Sequence, residues 1–243
     1  MKVSIITVCF NSEKTIEDTI KSVINQTYNN IEYIIIDGGS NDKTIDIINK
    51  YSDKIYKFIS EKDNGIYDAI NKGINLSTGY IVGILNSDDY FFDNSIISNI
   101  VDIFTINNTV DSVIGDINFV NTNNKLIREY KSLNWKPSLF KFGIMPPHPT
   151  FYCKRILYDK FGLYNNRYKI AGDFDLLIRF LFVNKISYHY FPKSMVTMRL
   201  GGISTSGIKS IITINKEILH SCLSNNIQTN YIYIYLKYFK NLF

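Results

Sequence analysis

The sequence predicts an α/β fold: a mostly parallel, Rossmann-like central sheet with helices on both faces, a small antiparallel hairpin and a C-terminal helical segment. Two observations carry this. Over the first ninety residues, short runs rich in isoleucine and valine alternate with stretches whose apolar residues recur at helical spacing. Apolar runs also end in polar clusters, at Cys9-Phe10-Asn11, Asp37-Gly38-Gly39 and Asn86-Ser87-Asp88-Asp89. In a parallel sheet those clusters emerge at one edge, where ligands bind.

The elements follow in order. Residues 3–10 are short, β-branched and apolar, which marks a strand covered on both faces. Ser12 is placed to cap a helix carrying Ile16, Ile20, Val23 and Ile24 on one face. Residues 31–36 form a second buried strand, followed by a short helix with Ile45, Ile47 and Ile48. Residues 55–59 read as a third strand. Asn64-Gly65 precedes a helix over 66–74, and 80–85 is a fourth strand. Beyond Asp89 the rhythm changes. A helix is expected over 95–106 and a hairpin from 113–120 and 126–130, turning at 121–124. Pro146-Pro147-His148-Pro149 is a rigid loop. Residues 173–183 predict a helix with apolar Leu176, Leu177, Phe180 and Leu181. Arg199-Leu200-Gly201-Gly202-Ile203-Ser204 reads as a glycine-bearing loop. The end of the chain, 231–243, is aromatic and lysine-rich.

Composition narrows the class. A chain of 243 residues with 45% hydrophobic residues buries a substantial core, as one large domain or one domain with a small appendage. A net charge of +5 suits an anionic ligand or an anionic membrane surface, fits an ordinary surface equally well, and does not demand nucleic acid. Cys9, Cys153 and Cys222 are too sparse for a disulfide framework or a zinc site, and a reducing cytoplasm is the expected compartment. There is no signal-peptide pattern, and no apolar run reaches the roughly 18 residues of a membrane span. A soluble or peripheral protein is expected. A dinucleotide-binding oxidoreductase would need G-x-G-x-x-G after the first strand, and a sugar nucleotidyltransferase a glycine-rich basic loop there. The residues present are Cys9-Phe10-Asn11-Ser12-Glu13.

Each polar cluster has a chemical and a structural reading. Asp88 and Asp89 either hold a divalent cation together with substrate phosphates or place acids ahead of the next helix. Asp37 either accepts a hydrogen bond from the imide of a pyrimidine or makes an Asp-Gly turn. Asp173 is a general base or a helix cap. Arg199 with Gly201, Gly202 and Ser204 is a phosphate loop or an ordinary glycine loop. His148 contacts a metal, a leaving phosphate or an acceptor diphosphate, or is simply a loop residue.

The order of the pieces resembles bacterial family 2 glycosyltransferases of the GT-A fold, in the version that assembles O-antigen, capsule and exopolysaccharide repeat units. The matching motifs are Ser4-Ile5-Ile6-Thr7-Val8-Cys9-Phe10-Asn11, Ile34-Ile35-Ile36-Asp37-Gly38-Gly39-Ser40-Asn41-Asp42, Ser60-Glu61-Lys62-Asp63-Asn64-Gly65-Ile66-Tyr67-Asp68-Ala69-Ile70-Asn71-Lys72-Gly73 and Leu85-Asn86-Ser87-Asp88-Asp89. Ala171-Gly172-Asp173-Phe174-Asp175-Leu176 resembles the catalytic-base segment, with Gly172 where many members carry an acid.

The resemblance implies that Thr7, Asn11 and Asp37 line a nucleoside pocket, with Asp63 beside it. Asn86 stands for the first acid of the Asp-x-Asp motif and, with Ser87, contacts the nucleotide. Arg199 serves the donor phosphates. Asp88, with Asp89, holds Mn2+ or Mg2+, and Asp173 is the base of an inverting transfer. The implied donor is a UDP-sugar and the implied acceptor a saccharide on an undecaprenol-type lipid diphosphate, at the cytoplasmic face of the inner membrane. Residues 1–205 would form the catalytic domain, with 1–90 the donor half and 91–205 the acceptor half. Residues 206–243 would form a helical tail that contacts the membrane. A non-catalytic nucleotide-sugar-binding subunit stays open beside the enzyme, because Asn86 and Gly172 depart from the pattern.

Overall fold

Strand β1 (Val3–Cys9) sets the layout. Every one of its residues is buried, and it lies parallel between β2 (Ile31–Asp37) and β4 (Ile81–Ile84). Strand β3 (Lys57–Ser60) extends the parallel sheet beyond β2. The structure, a computed structural model, describes residues 1–201 and 207–238.

Beyond β4 the sheet becomes mixed. Strands β5 (Tyr90–Phe91), β6 (Ser112–Val120), β7 (Leu126–Tyr130), β8 (Tyr152–Lys154) and β9 (Tyr188–Arg199) complete the order β3-β2-β1-β4-β8-β6-β9-β5, with β7 paired on β6. The expected hairpin is β6 with β7, antiparallel. Strand β9 was not expected, because Pro192 in its middle argues against a strand. The register of β6 against β9 shifts between Gly115 and Ile117, opposite that proline, and accommodates it.

Helices cover both faces, and alternate residues of the strands feed two separate cores. Ile6, Val8, Ile34 and Ile36 pack with α3 (Ile66–Leu76) through Ile70 and Ile74. Val3, Ile5, Tyr33 and Ile35 face the other way, onto α1 (Ile16–Ile24) and α4 (Ile96–Ile106) through Ile16, Ile20, Val23 and Ile100. A fully buried isoleucine stabilises by about 1.5–3 kcal/mol, so the β1–β2 pair is the anchor of the molecule. Helix α2 (Thr44–Asn49) lies where the sequence places it. The first core also takes in α5 (Ile156–Phe161), α6 (Gly172–Leu177), α7 (Ile208–Ser224) and α8 (Tyr231–Leu236), through Leu157, Phe174, Ile218 and Ile234.

Two local expectations change. Ser12 does not cap α1 with its side chain. Its carbonyl receives the N–H groups of Thr15 and Ile16, and its hydroxyl turns to Ser87 at 2.8 Å. The helix expected over 173–183 is α-helical only to Leu177 and widens to π geometry over Ile178–Val183, with Asn184 N–H donating to Arg179 at 3.0 Å. In the tail, the Lys237 ammonium lies against Gly143, and burial lowers its pKa to about 8. Among the described residues no helix is long and apolar enough to cross a membrane.

Gly83 shows how tightly the sheet centre is built. A Cβ there would sit 2.0 Å from the ring of Tyr152, which is fully buried on β8. We expect Gly83→Ala to destabilise the fold by about 1–3 kcal/mol, through overpacking. Urea unfolding would show a lower midpoint at unchanged slope.

Candidate functional site

The ends of β1, β2, β3 and β4 meet at one edge, and their turns are bound to one another. Asn11 adopts a left-handed conformation, φ 50°, which asparagine tolerates. Its N–H donates to Ser40 Oγ at 2.8 Å, and its Oδ1 accepts from Asn41 N–H at 3.0 Å. Ser12 N–H donates to Thr44 Oγ1 at 2.7 Å. The loops after β1 and β2 are thus one hydrogen-bonded unit.

Asp37 closes that unit from below. Its Oδ2 accepts from Gly39 N–H at 3.1 Å, Ser40 N–H at 2.9 Å and Ser60 Oγ at 2.7 Å, while Oδ1 accepts from Ser40 Oγ and from Cys9 Sγ. The carboxylate is fully buried, with both oxygens engaged. Asp37, expected to read a nucleobase, holds the turn with these bonds. Thr7, expected to line the nucleoside pocket, is likewise bound within the protein. Its side chain lies inside the core, where Oγ1 accepts from Tyr33 OH at 3.1 Å. What faces outward is the Phe10 ring, 62% exposed, beside Gly38 and Asp63. A Cβ on Gly38 would come 3.2 Å from Asp63 Oδ2 and 3.5 Å from Phe10. Burial raises the Asp63 carboxyl above its ordinary range, and the ion pair with Lys72 opposes the shift. Lys72 also reaches Glu61 at 2.8 Å and is held strongly protonated by these partners.

The turn after β4 carries Asn86, Ser87, Asp88 and Asp89. It is held by Asp89 N–H on Asn86 O, by Thr19 of α1 donating to Ser87 O and Asp89 O, and by Arg199 donating to Asp88 O at 3.0 Å. Arg199 also pairs with Asp18 at 2.6 Å and lies over the Tyr90 ring. Its guanidinium thus braces the turn as well as standing beside it. Gly202 and Ser204, expected in the same loop, lie outside the described residues.

The two acids of the turn differ. The Asp88 carboxylate is half-buried and accepts no hydrogen bond from the described residues. Both Asp89 oxygens are buried and without a hydrogen-bond partner. Burial first, and the Asp88 charge second, push the Asp89 carboxyl well above the ordinary range. Such a pair favours a cation at the exposed member. Asp88 is the more exposed of the two acids, and the oxygens of Asp89 are buried. Among the described residues there is no group of three or more His, Cys, Asp and Glu side chains that could hold a metal unaided. The arrangement fits an ion whose remaining ligands are phosphate oxygens and water.

The second half of the chain reaches the same turn through His148. Its Nδ1 lies 3.1 Å from Asp173 Oδ2, and its Nε2 lies 3.3 Å from Asn86 Nδ2. Asn86, His148 and Asp173, distant in sequence, therefore form one contact chain. Thr150 fixes the proline-rich loop, with Oγ1 donating to Pro147 O at 2.8 Å and accepting from Gly115 N–H at 3.0 Å.

Asp173 sits at the start of α6, and its own Oδ1 accepts from Phe174 N–H at 2.8 Å. The segment before it is held from α7, where Glu217 accepts the consecutive N–H groups of Lys169, Ile170 and Ala171 at 2.8–2.9 Å. One helical turn on, Ser221 donates to the buried Asp175 at 3.0 Å, and Arg179 pairs with the other Asp175 oxygen at 2.9 Å. Gly172 also has a reason. A Cβ there would lie 2.6 Å from the ring of Tyr67, whose hydroxyl donates to Ile170 O. No side chain fits at position 172 while Tyr67 occupies that space. The sequence reading missed Thr19, Glu217 and Ser221. The spacing of Glu217 and Ser221, four residues apart beside apolar Ile218 and Cys222, is the signal of a polar edge on a buried helix.

The chain is similar to known proteins in sequence and in fold. The profile of the family described as Glycosyl transferase family 2 covers residues 4–165. A PGL/p-HBAD biosynthesis glycosyltransferase of Mycobacterium tuberculosis is 30% identical over 179 residues, which make up 72% of this chain and 68% of that one. A UDP-Glc:alpha-D-GlcNAc-diphosphoundecaprenol beta-1,3-glucosyltransferase of Escherichia coli, WfaP, is 41% identical over 101 residues, 40% of this chain and 39% of that one. The fold resembles that of S. aureus TarS in complex with UDP-GlcNAc, at a TM-score of 0.73, 18% identity, and coverage of 94% of this chain and 68% of that one. In another TarS structure the chain spans 41% of the length.

Removing the Glu217 carboxylate should loosen the base segment. We expect Glu217→Ala to cost on the order of 1 kcal/mol for each backbone N–H left unpaired, and Glu217→Gln, which keeps one acceptor oxygen, to cost less. Hydrogen exchange would locate the change as faster exchange at 169–171.

Proposed function

The chain belongs to glycosyl transferase family 2, and on that footing we propose that it transfers a hexose or N-acetylhexosamine, with inversion, from a UDP-sugar to a saccharide on a lipid diphosphate. The observation that carries the reading is the contact chain from Asn86 through His148 to Asp173, which sets a carboxylate beside the turn that bears Asp88. A binding subunit would have no need of a base held there.

The donor half would work as follows. The exposed Phe10 ring and Gly38 offer a flat floor for the base, with the Asp63 carboxylate beside it. Asp37, Ser40 and Asn11 keep that floor in shape. The Oδ1 of Asn86 is buried and without a hydrogen-bond partner, an acceptor that a donor hydroxyl would satisfy if the turn opened to admit it. Ser87 is tied to Ser12 and keeps the β1 and β4 turns together. Mn2+ or Mg2+ at Asp88, with diphosphate oxygens and water as further ligands, would neutralise the charge that gathers on the departing UDP. Arg199 braces the same turn from the opposite side.

Asp173 would take the proton from the acceptor hydroxyl as that oxygen bonds to the anomeric carbon. The bond from that carbon to the diphosphate breaks on the opposite face, its electron pair leaving with UDP. One displacement inverts the anomeric centre, and an α-linked donor gives a β-linked product.

The acceptor class draws on the lipid-diphosphate substrate named for WfaP. A membrane-facing site agrees with α8, which exposes Tyr231, Ile232, Tyr233 and Tyr235 on the surface. Aromatic and apolar side chains of this kind suit the interface of a bilayer. Peripheral attachment at the cytoplasmic face of the inner membrane follows from where such acceptors lie.

Two substitutions separate donor binding from chemistry. Asp173→Asn should retain UDP binding and lose transfer by about 10²–10⁴-fold, the size of a general-base contribution. Asp88→Ala should abolish the metal dependence of both donor binding and slow donor hydrolysis. Undiminished transfer by the Asp173 variant would remove it from the mechanism.

A further inference from the structure

The His148 imidazole sits in the site with a carboxylate on one nitrogen and an amide on the other. Its loop is stiff, because prolines flank it on both sides and Thr150 pins the loop to β6. An ionised carboxylate only accepts hydrogen bonds, so Nδ1, 3.1 Å from Asp173 Oδ2, must carry the proton. A neutral imidazole then has an unprotonated Nε2, which only accepts. The group facing it must donate, and Asn86 Nδ2 does so at 3.3 Å. An aspartate at position 86 could not play that part, because it has no N–H to offer.

We propose that Asn86 and His148 are positioning residues for the base: the Asn86 amide, together with the Asp173 carboxylate, fixes the Nδ1–H tautomer of His148, and that N–H holds Asp173 in place. This deepens the transferase reading and rests on it. It also gives the exchange of acid for amide at position 86 a purpose. The other end of the same amide, Oδ1, is buried and without a hydrogen-bond partner.

Two measurements test this. The first is 15N NMR of the histidines, of which the chain has three, with His148→Asn used to assign the signal. The wild-type protein should show His148 as the Nδ1–H tautomer, and Asn86→Leu should let the Nε2–H form appear. The second is kinetic. His148→Ala should lower kcat by roughly tenfold to a hundredfold, as expected when a reacting group is misplaced, while UDP affinity stays within about twofold. His148→Asn places an amide N–H where Nδ1 was and should recover much of that loss. A role confined to stability would lower the melting temperature without this split or this recovery.

An Nε2–H tautomer in the wild-type protein, or a kcat for His148→Ala within about twofold of wild type, would overturn the proposal. If His148→Ala does not fold, the wild-type NMR still decides. Failure of the transferase reading looks different: the wild-type protein would transfer no sugar, and Asp173→Asn would change nothing.

Discussion

A strand buried on both faces can offer polar groups to a ligand only at its end, and the rest of this structure follows from that constraint. Strand β1 is buried throughout, with Ser4 and Thr7 paired to Glu32 and Tyr33 inside, and lies parallel between β2 and β4. All its chemistry, and that of its neighbours, is therefore pushed to one edge. The turns at that edge hold many backbone N–H groups that the sheet cannot satisfy. Carboxylates satisfy them. Asp37 closes the turn after β2, Asp42 accepts from Glu13 and Thr44, and Glu217 caps the run before Asp173. In each case an acid serves as an acceptor for backbone.

The acids of the site differ. Asp37 is engaged with its turn, Asp88 accepts no hydrogen bond from the described residues, and Asp89 is buried beside it, its carboxyl pushed up by burial and by Asp88 against the opposing pull of Arg199. The second half of the molecule closes around the same edge. The proline-bound His148 and the α6–α7 pair bring Asp173 to the β4 turn, and Tyr67 of α3 fills the space that leaves only glycine at 172. Helix α7 is thus part of the site's frame through the Glu217 edge.

Much of this was legible in the sequence. The four parallel strands, the helices between them and the three polar clusters followed from apolar periodicity in the first ninety residues. The family followed from motif order. The later half was harder. Strand β9 contains a proline, and the helix after Asp173 changes from α to π geometry, which no apolar spacing announces. How deeply each acid is buried was also illegible. Asp37 and Asp88 follow strands alike, and only packing shows that one is fully buried and the other half-buried. The pairing of Asn86 with His148 joins positions 62 apart in sequence, and no local pattern encodes it.

The central claim is that the strand-end cleft holds a nucleoside diphosphate through a cation at Asp88. The most direct measurement is thermal unfolding of the full chain with nucleoside diphosphates, each with and without Mn2+, because a ligand that binds only the folded state raises the melting temperature. The account predicts the largest rise with UDP and Mn2+ together. A melting temperature that no nucleotide moves, with or without the metal, would contradict it.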